Sequence, residues 1–306
     1  MKRHAEYIAL IPIGAEERVE EKRQEQVKKN NFATVPKLEG GFTASIGALL
    51  LVPSSELDSY YFSESGDNVT ALNINPSSQF GFDAAVGYIF ERTPNGVELS
   101  FRDINTSDDA SDDDSASTNL DYHLRAVDLM FGQFVDFGQQ VQMRFAAGVA
   151  YAELKRDQNT NITSAGSNQT TEYSDYKGIG PRIGLDARYD FGQGFGIVGS
   201  GSLAYLLGKM KTSFSAVDSE TVNVTNNNDD QAVMNLRGNL GIDYVYFFEN
   251  ELRYTLGIEL GYLIDYYDDS VRSLNLLPIP HAGTAQYENT SALSFAGPYL
   301  NLKGVF

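Results

Sequence analysis

The sequence predicts an all-β protein: an antiparallel transmembrane β-barrel of about ten strands, with long outer loops and short periplasmic turns. Three observations carry this prediction: long runs of alternating apolar and polar residues, tight-turn signals between them, and no apolar run near the ~20 residues of a membrane helix. In the clearest run, 252–267, every even position is aliphatic or aromatic and most odd positions are small or polar. Such a period indicates a strand with one apolar and one wet face.

The composition of the chain argues against a disulfide-bonded fold and against a nucleic-acid-binding protein. The chain has no cysteine, so it has no disulfide framework. Its formal net charge of −18 argues against nucleic acid as a partner. Since a chain without membrane helices crosses a membrane only as a closed barrel, we expect a bacterial outer-membrane location with outer-membrane lipid as a partner.

The sequence divides into an N-terminal polar extension, residues 1–36, and a barrel, residues 37–306. The first residues resemble a degenerate signal or a misplaced start, because Glu6 interrupts a short apolar stretch. Residues 16–29 favour helix but have no apolar face, which indicates an exposed periplasmic segment. A plug inside the barrel is the alternative.

The same alternation predicts the strands in order. They lie at about 41–52, 79–91, 97–104, 120–133, 141–151, 176–191, 195–214, 234–246, 252–267 and 292–306. The fourth strand is irregular. Its outward residues are assigned as Leu120, Tyr122, Leu124 and Ala126, after which Leu129 and Phe131 take over. This change of phase predicts a β-bulge near Val127.

The connections between these strands alternate in length. The long ones are 53–78, 106–118, 156–175, 216–231 and 269–290, and the short ones centre on 93–95, 134–139, 192–194 and 249–250. Asn95-Gly96 is a strong tight-turn signal. Long connections on one side and short turns on the other are typical of outer-membrane barrels. The even strand number places both termini on the short-turn side.

Aromatic residues recur beside the short turns. Asp186, Tyr189 and Phe191 have the same spacing as Asp243, Tyr246 and Phe248. This repeat predicts an aromatic girdle at the inner membrane interface, with aromatic ends of soluble sandwich strands as the alternative. The terminal Phe306 resembles the signal that the bacterial barrel-insertion machinery reads, so we expect that machinery as a partner.

One region resembles a known family. Residues 176–186, followed by 194–198 and Leu207-Gly208-Lys209, are similar to the Legionella-type major outer membrane protein family. The resemblance is clearest over 176–215, diffuse over 41–306, and does not cover 1–36. It implies a pore-forming barrel without catalytic residues.

Charged residues on the predicted inward face are the candidate functional residues. They are Arg144, Arg182, Arg188, Arg237, Asp83, Glu98 and Glu259. We expect the arginines to oppose the acids of the second and third strands and to set ion selectivity. A salt-bridged, filled lumen is equally open on physical grounds, because ten strands are close to the eight that leave room only for side chains. The resemblance favours a porin-like protein that passes ions or small hydrophilic solutes.

Two other functions stay open. A non-conducting structural or adhesive barrel would act through its acidic loops, such as the one with Asp108 and Asp109. A rim protease or lipid hydrolase would need His123, which is predicted to face inward between Asp121 and Arg125. A lone histidine among charges is more often structural. The sequence contains no nucleophile elbow, metal-ligand cluster or phosphate loop, so we expect no catalytic residues, no metal and no cofactor.

Overall fold

The computed structural model describes residues 40–65, 68–112, 116–138, 140–162, 168–217, 221–248, 255–279 and 283–306. The predicted N-terminal extension, 1–36, and the predicted turn at 249–250 lie outside the described residues. Among the residues that are described, no helix is long and apolar enough to cross a membrane.

Ten of the strands in the described part of the chain close into one antiparallel barrel. Its strands are β1 (Gly41–Ser55), β4 (Gln79–Ile89), β5 (Asn95–Asp112), β6 (Ala116–Phe137), β7 (Val141–Ile162), β8 (Asn168–Gly192), β9 (Phe195–Val217), β10 (Thr221–Phe247), β11 (Thr255–Ile279) and β12 (Gly283–Val305). The ring closes where β1 pairs with β12. A separate hairpin, β2 (Ser59–Ser65) with β3 (Asn68–Asn73), interrupts the connection from β1 to β4. The predicted fold class is confirmed.

The outer surface carries the apolar belt that the alternation predicts. Exposed aliphatic side chains such as Ile46, Ile183 and Leu240 face away from the lumen. Aromatic rings gather beside the short turns, in the pairs Phe42–Tyr88 (5.0 Å), Tyr189–Phe191 (5.2 Å), Phe195–Tyr244 (4.7 Å) and Tyr246–Phe248 (4.9 Å). This arrangement agrees with the predicted girdle, because amphipathic rings suit a membrane interface.

The predicted facing of β6 is wrong at its outer end. β6 pairs residue by residue with β5 and β7 without a register shift, so there is no bulge near Val127. Leu120 and Leu124 are buried in the lumen, as are Tyr122 and Ala126. Because side chains alternate along an unbroken strand, Asp121 and its neighbours at odd positions face outward.

The strands continue far beyond the belt. β6, β8 and β10 contain 22, 25 and 27 residues, whereas a membrane crossing needs about 9–11. Segments that the sequence analysis assigns to long outer loops are therefore largely strand, apart from the connection that holds β2 and β3. The reason is that both faces of these segments carry polar residues, including buried ones such as Arg156 and Thr160, which leaves no apolar period to detect.

The facing of β6 can be tested by thiol labelling, because the chain has no cysteine of its own. We expect Asp121→Cys to react with a membrane-impermeant maleimide on intact cells. Leu120→Cys should stay unlabelled until the barrel is unfolded, because Leu120 is 1% exposed. Labelling of Leu120→Cys without labelling of Asp121→Cys would show instead that Leu120 faces outward and Asp121 faces the lumen.

Candidate functional site in the barrel lumen

The half of the lumen beside the short turns holds a cavity of about 400 Å³, which we call the vestibule. Five carboxylates line it: Asp83, Glu98, Asp186, Asp243 and Glu259. Five cations face them: Arg102, Arg144, Arg188, Arg237 and Lys303. The lining of the vestibule therefore holds equal numbers of carboxylates and cations.

Most charges in the vestibule are paired. Nη1 of Arg144 lies 3.2 Å from Glu98 and 3.3 Å from Asp186. Nε of Arg188 lies 2.7 Å from Asp243. The exception is Asp83, whose Oδ1 is buried and accepts no hydrogen bond within the described residues.

Glu259 is held from two sides. Lys303 forms an ion pair with it, and the Tyr299 hydroxyl donates a hydrogen bond to its Oε1. Tyr299 reaches this position across Gly261 on β11, where a Cβ atom would lie 2.7 Å from the hydroxyl oxygen. A glycine is therefore needed at that point of the barrel wall.

A layer of buried charge lies above the vestibule, and we call it the ionic layer. At its centre is Asp265 of β11, which is fully buried. Nη1 of Arg102 lies 2.7 Å from Oδ2 of Asp265, and Nε of Arg237 lies 3.3 Å from the same oxygen. Asn235 donates to the other oxygen at 2.7 Å. The carboxylate thus joins side chains of β5, β10 and β11 across the lumen.

A second carboxylate, Asp128 of β6, extends the ionic layer. Its Oδ2 lies 3.1 Å from Arg237, and its Oδ1 lies 3.3 Å from Arg182 of β8. Arg182 also donates to Asn235 and to Ser202, the latter at 3.1 Å. Three arginines and two aspartates thus bridge five strands, and the layer keeps one positive charge in excess.

Above the ionic layer, apolar side chains fill the lumen. Among the most buried members of this apolar core are Leu49, Leu51, Ile104, Leu120, Tyr122, Leu124, Leu154, Tyr176, Leu206, Tyr267 and Phe295. Tyr176 lies over Gly178 and donates its hydroxyl proton to the Leu206 carbonyl at 3.0 Å. The packing is therefore that of a globular interior placed inside a barrel.

Polar contacts seal the outer end. Arg156 is 1% exposed, and its Nη1 lies 3.3 Å from Glu172. Ser273 of β11 donates to the same glutamate of β8 at 2.8 Å. The Arg272 amide of β11 donates to the Ser174 hydroxyl of β8 at 3.1 Å. Since β9 and β10 separate these strands in the wall, the barrel is pinched at this level.

The segment after β1 folds into the mouth of the barrel. Leu57 and Ile74 belong to the apolar core. The Leu57 carbonyl accepts a hydrogen bond of 2.8 Å from Arg156. Asp58 accepts a hydrogen bond from the Tyr122 hydroxyl and one of 2.8 Å from the Ser55 amide. We call residues 55–58 the tether, because these contacts fix the outer connection to the lumen.

The seven predicted site residues all lie on the lumen side. Arg144, Arg188, Asp83, Glu98 and Glu259 are in the vestibule, and Arg182 and Arg237 are in the ionic layer. Of the expected pairs between these arginines and the acids Asp83 and Glu98, Arg144 with Glu98 forms an ion pair in the described chain. Their role in selectivity stays a prediction.

Sequence reasoning missed Arg156 and Glu172, which fell in a predicted loop. No local signal marks them, because Arg156, Gln158 and Thr160 alternate with residues that are polar as well, such as Lys155 and Asp157.

The inward assignment of His123 is wrong. It faces outward, with Nε2 3.3 Å from Oδ2 of Asp103. Nε of Arg125, the next outward residue on β6, lies 3.2 Å from the same oxygen. These groups therefore lie on the outer wall, away from the lumen. Among the described residues, no three His, Cys, Asp or Glu side chains are placed to hold a metal ion.

A closed antiparallel barrel with an apolar outer belt and an aromatic girdle defines the class of outer-membrane β-barrels. Within this class the chain belongs to the family described as Legionella pneumophila major outer membrane protein precursor, whose model matches residues 34–306. The protein is therefore located in the bacterial outer membrane, as predicted, where it is surrounded by lipid.

Solved structures with a similar course of the chain have low sequence identity. The outer membrane protease OmpT from Escherichia coli is 13% identical, covering 90% of this chain and 100% of its own, with a TM-score of 0.48. A major outer membrane protein from Thermus thermophilus is 13% identical, covering 87% and 99%, with a TM-score of 0.34. The translocator domain of the autotransporter NalP from Neisseria meningitidis is 11% identical, covering 95% and 96%, with a TM-score of 0.36. A comparison with curated proteins finds no match.

The ionic layer predicts a large stability effect at Asp265. Removal of one partner from a buried ion pair costs about 3–5 kcal/mol, because the other charge stays buried and unpaired. We expect Asp265→Asn to lower the free energy of unfolding by about that amount, measured by urea titration in lipid vesicles. The control is Asp230→Asn, whose ion pair with Lys209 is exposed and should matter little. Equal effects of the two substitutions would contradict a central role for Asp265.

The burial of Asp58 predicts that the stability of the tether depends on pH. Burial raises the pKa of its carboxyl above the ordinary value. An acid with a raised folded-state pKa stabilises the closed tether below its ordinary pKa, and this contribution is lost as pH rises through the raised value. We expect hydrogen-exchange protection of the Ser55 and Leu57 amides, corrected for intrinsic rates, to fall as the pH rises above the ordinary carboxyl pKa of about 4. Asp58→Asn should flatten the profile, and an unchanged slope would assign it to another group.

Proposed function

We propose that this protein is a closed outer-membrane barrel that does not conduct ions or solutes in the described conformation and serves as a structural or adhesive barrel through its outer part. One observation carries the proposal: the ionic layer, the apolar core and the pinch between β8 and β11 follow one another along the lumen. Each of them fills the space that a passing solute would need.

The apolar core is the strongest barrier. A hydrated ion entering it would lose water without gaining hydrogen bonds, which is costly for any charge. Leu154, Tyr267 and Phe295 are fully buried members of one apolar cluster in the lumen. Thermal side-chain motion in such a close-packed region does not provide a steady aqueous path.

The outer part offers the surface for adhesion. Beyond the belt, β5 and β10 carry exposed acidic residues, including Asp109 and Asp230. This extension lies on the cell exterior if the short turns face the periplasm. The proposal includes no chemical step. A rim hydrolase built on His123 has no support, because that side chain faces outward beside Asp103.

A porin-like pore for ions or small hydrophilic solutes is the second candidate. The observation that favours it is the vestibule, a charged cavity of about 400 Å³ beside the periplasmic turns. Such a pore requires displacement of the apolar core and of the tether. In that state Arg144 and Arg188 would act on solutes opposite Asp83 and Glu98.

Planar-bilayer recordings in a salt gradient separate the two candidates. We expect the refolded wild-type chain to be silent. Tyr267→Ala with Phe295→Ala should open steps of current, because two large rings leave the core. The matched control, Tyr262→Ala with Leu260→Ala, removes an aromatic and an aliphatic side chain from the lipid-facing side of the same barrel.

Steady wild-type currents with a defined reversal potential would contradict the closed barrel and favour the pore. Silence of both double variants, with heat-modifiable migration retained, would mean that the ionic layer or the pinch blocks the lumen by itself. That outcome would keep the closed barrel but reject the apolar core as its main barrier.

A further inference from the structure

One carboxylate of the vestibule has no counter-ion in the described chain. Asp83 of β4 forms no ion pair with the described residues, and its buried Oδ1 accepts no hydrogen bond from them. Arg102 of β5 pairs in register with Asp83, but its guanidinium turns to Asp265, 2.7 Å away. A carboxylate withdrawn from bulk water without a cation is unfavourable. The position of Asp83 therefore favours a cation from outside the chain.

Three polar side chains with unused hydrogen-bonding capacity surround Asp83. Ser45 of β1, Ser100 of β5 and Asn301 of β12 line the vestibule, and none makes a side-chain hydrogen bond within the described part of the chain. Gly47 of β1 pairs in register with both Asp83 and Asn301, so these two flank a position without a side chain. Ser45 and Ser100 are diagonal neighbours of Asp83, at a spacing of about 7–8 Å. We call Ser45, Asp83, Ser100 and Asn301 the acceptor patch.

The charged groups around the acceptor patch carry a net negative charge. Two of the arginines, Arg144 and Arg188, each contact two carboxylates. Between the short turns and the apolar core, with the ionic layer included, eight carboxylates and six cations of the described chain face the lumen: Asp83, Glu98, Asp128, Asp186, Asp190, Asp243, Glu259 and Asp265 against Arg102, Arg144, Arg182, Arg188, Arg237 and Lys303. This part of the lumen therefore has an excess of two negative charges.

The lining of the vestibule favours an organic cation over a metal ion. Among the described residues no three His, Cys, Asp or Glu side chains are placed to hold a metal. The cavity of about 400 Å³ has the size of a small-molecule site, and its lining includes the buried apolar side chains of Ile89, Val198 and Val245. A primary ammonium has three N–H donors and no acceptor. It therefore matches a patch that offers a carboxylate, two hydroxyls and an amide oxygen.

We propose that the acceptor patch binds one ammonium group of a short aliphatic diamine that enters the vestibule from the short-turn side. Asp83 supplies the counter-charge, and the hydroxyl and amide oxygens of the patch accept the remaining N–H groups. The second ammonium lies in the same vestibule, near carboxylates that share one arginine, so the two charges of the ligand match the excess of two negative charges. The site lies below the ionic layer, so binding does not require a conducting lumen.

Isothermal titration calorimetry of the refolded full chain, in a non-ionic detergent at low ionic strength, tests the proposal. The probe is diaminobutane, and the comparison ligands are its monoamine and its bis-quaternary analogue, which has two charges but no N–H group. We expect diaminobutane to bind most tightly. Asp83→Asn keeps the shape of the side chain and breaks no ion pair of the described chain. It should weaken the binding about tenfold to a hundredfold, because a hydrogen bond to a charged group contributes about that factor.

The matched control is Asp230→Asn, which removes one negative charge from the exposed outer part of β10. It should bind as the wild type does. No binding of diaminobutane by the wild type, equal affinity for the bis-quaternary analogue, unchanged binding by Asp83→Asn, or an equal loss in the control would each overturn the proposal. Displacement of the diamine by magnesium chloride, beyond the effect of sodium chloride at the same ionic strength, would also overturn it, since an inorganic cation would then suffice. Heat-modifiable migration checks that each variant is folded.

Discussion

The carboxylate of Asp265 is the constraint on which the lumen depends. It is fully buried, so its charge must be met by donors, and Arg102, Arg237 and Asn235 meet it from two other strands of the wall. These partners fix the distance between opposite sides of the barrel. The apolar core lies above this layer. Small residues such as Gly261 leave the space that the long side chains cross.

The ionic layer and the apolar core have different roles. Buried ion pairs add little net stability compared with apolar packing, but a missing partner is costly. The layer therefore specifies which side chains meet, and the core supplies the burial. Its one excess positive charge faces a vestibule where Asp83 has no hydrogen bond at Oδ1 within the described residues. Arg102 and Arg237 of the layer also line this vestibule, so the two levels of the lumen share these cations.

The sequence predicts the wall of this barrel better than its interior. Alternation identifies the belt, and the short turns identify the hairpins, because both follow from local periodicity. It does not say which face meets lipid. In β6, Leu120 and Leu124 fill the lumen while Leu129 and Phe131 face lipid, so an unbroken strand imitates a bulge. The length of β6 explains the inward apolar residues. Its 22 residues are more than one membrane crossing needs, so its outer half lies beyond the lipid and its apolar side chains face the lumen.

The site residues show the same division between local and long-range information. The sequence places Arg182 and Arg237 on the inward face, because their neighbours on both sides alternate with them. Their partners come from strands far apart in the chain: Asp128 lies 109 residues from Arg237. No periodicity reports such a pairing, since it depends on which strands face each other across the lumen. A charged inward face is therefore compatible with a pore or with a closed barrel, and only the packing between opposite walls distinguishes them.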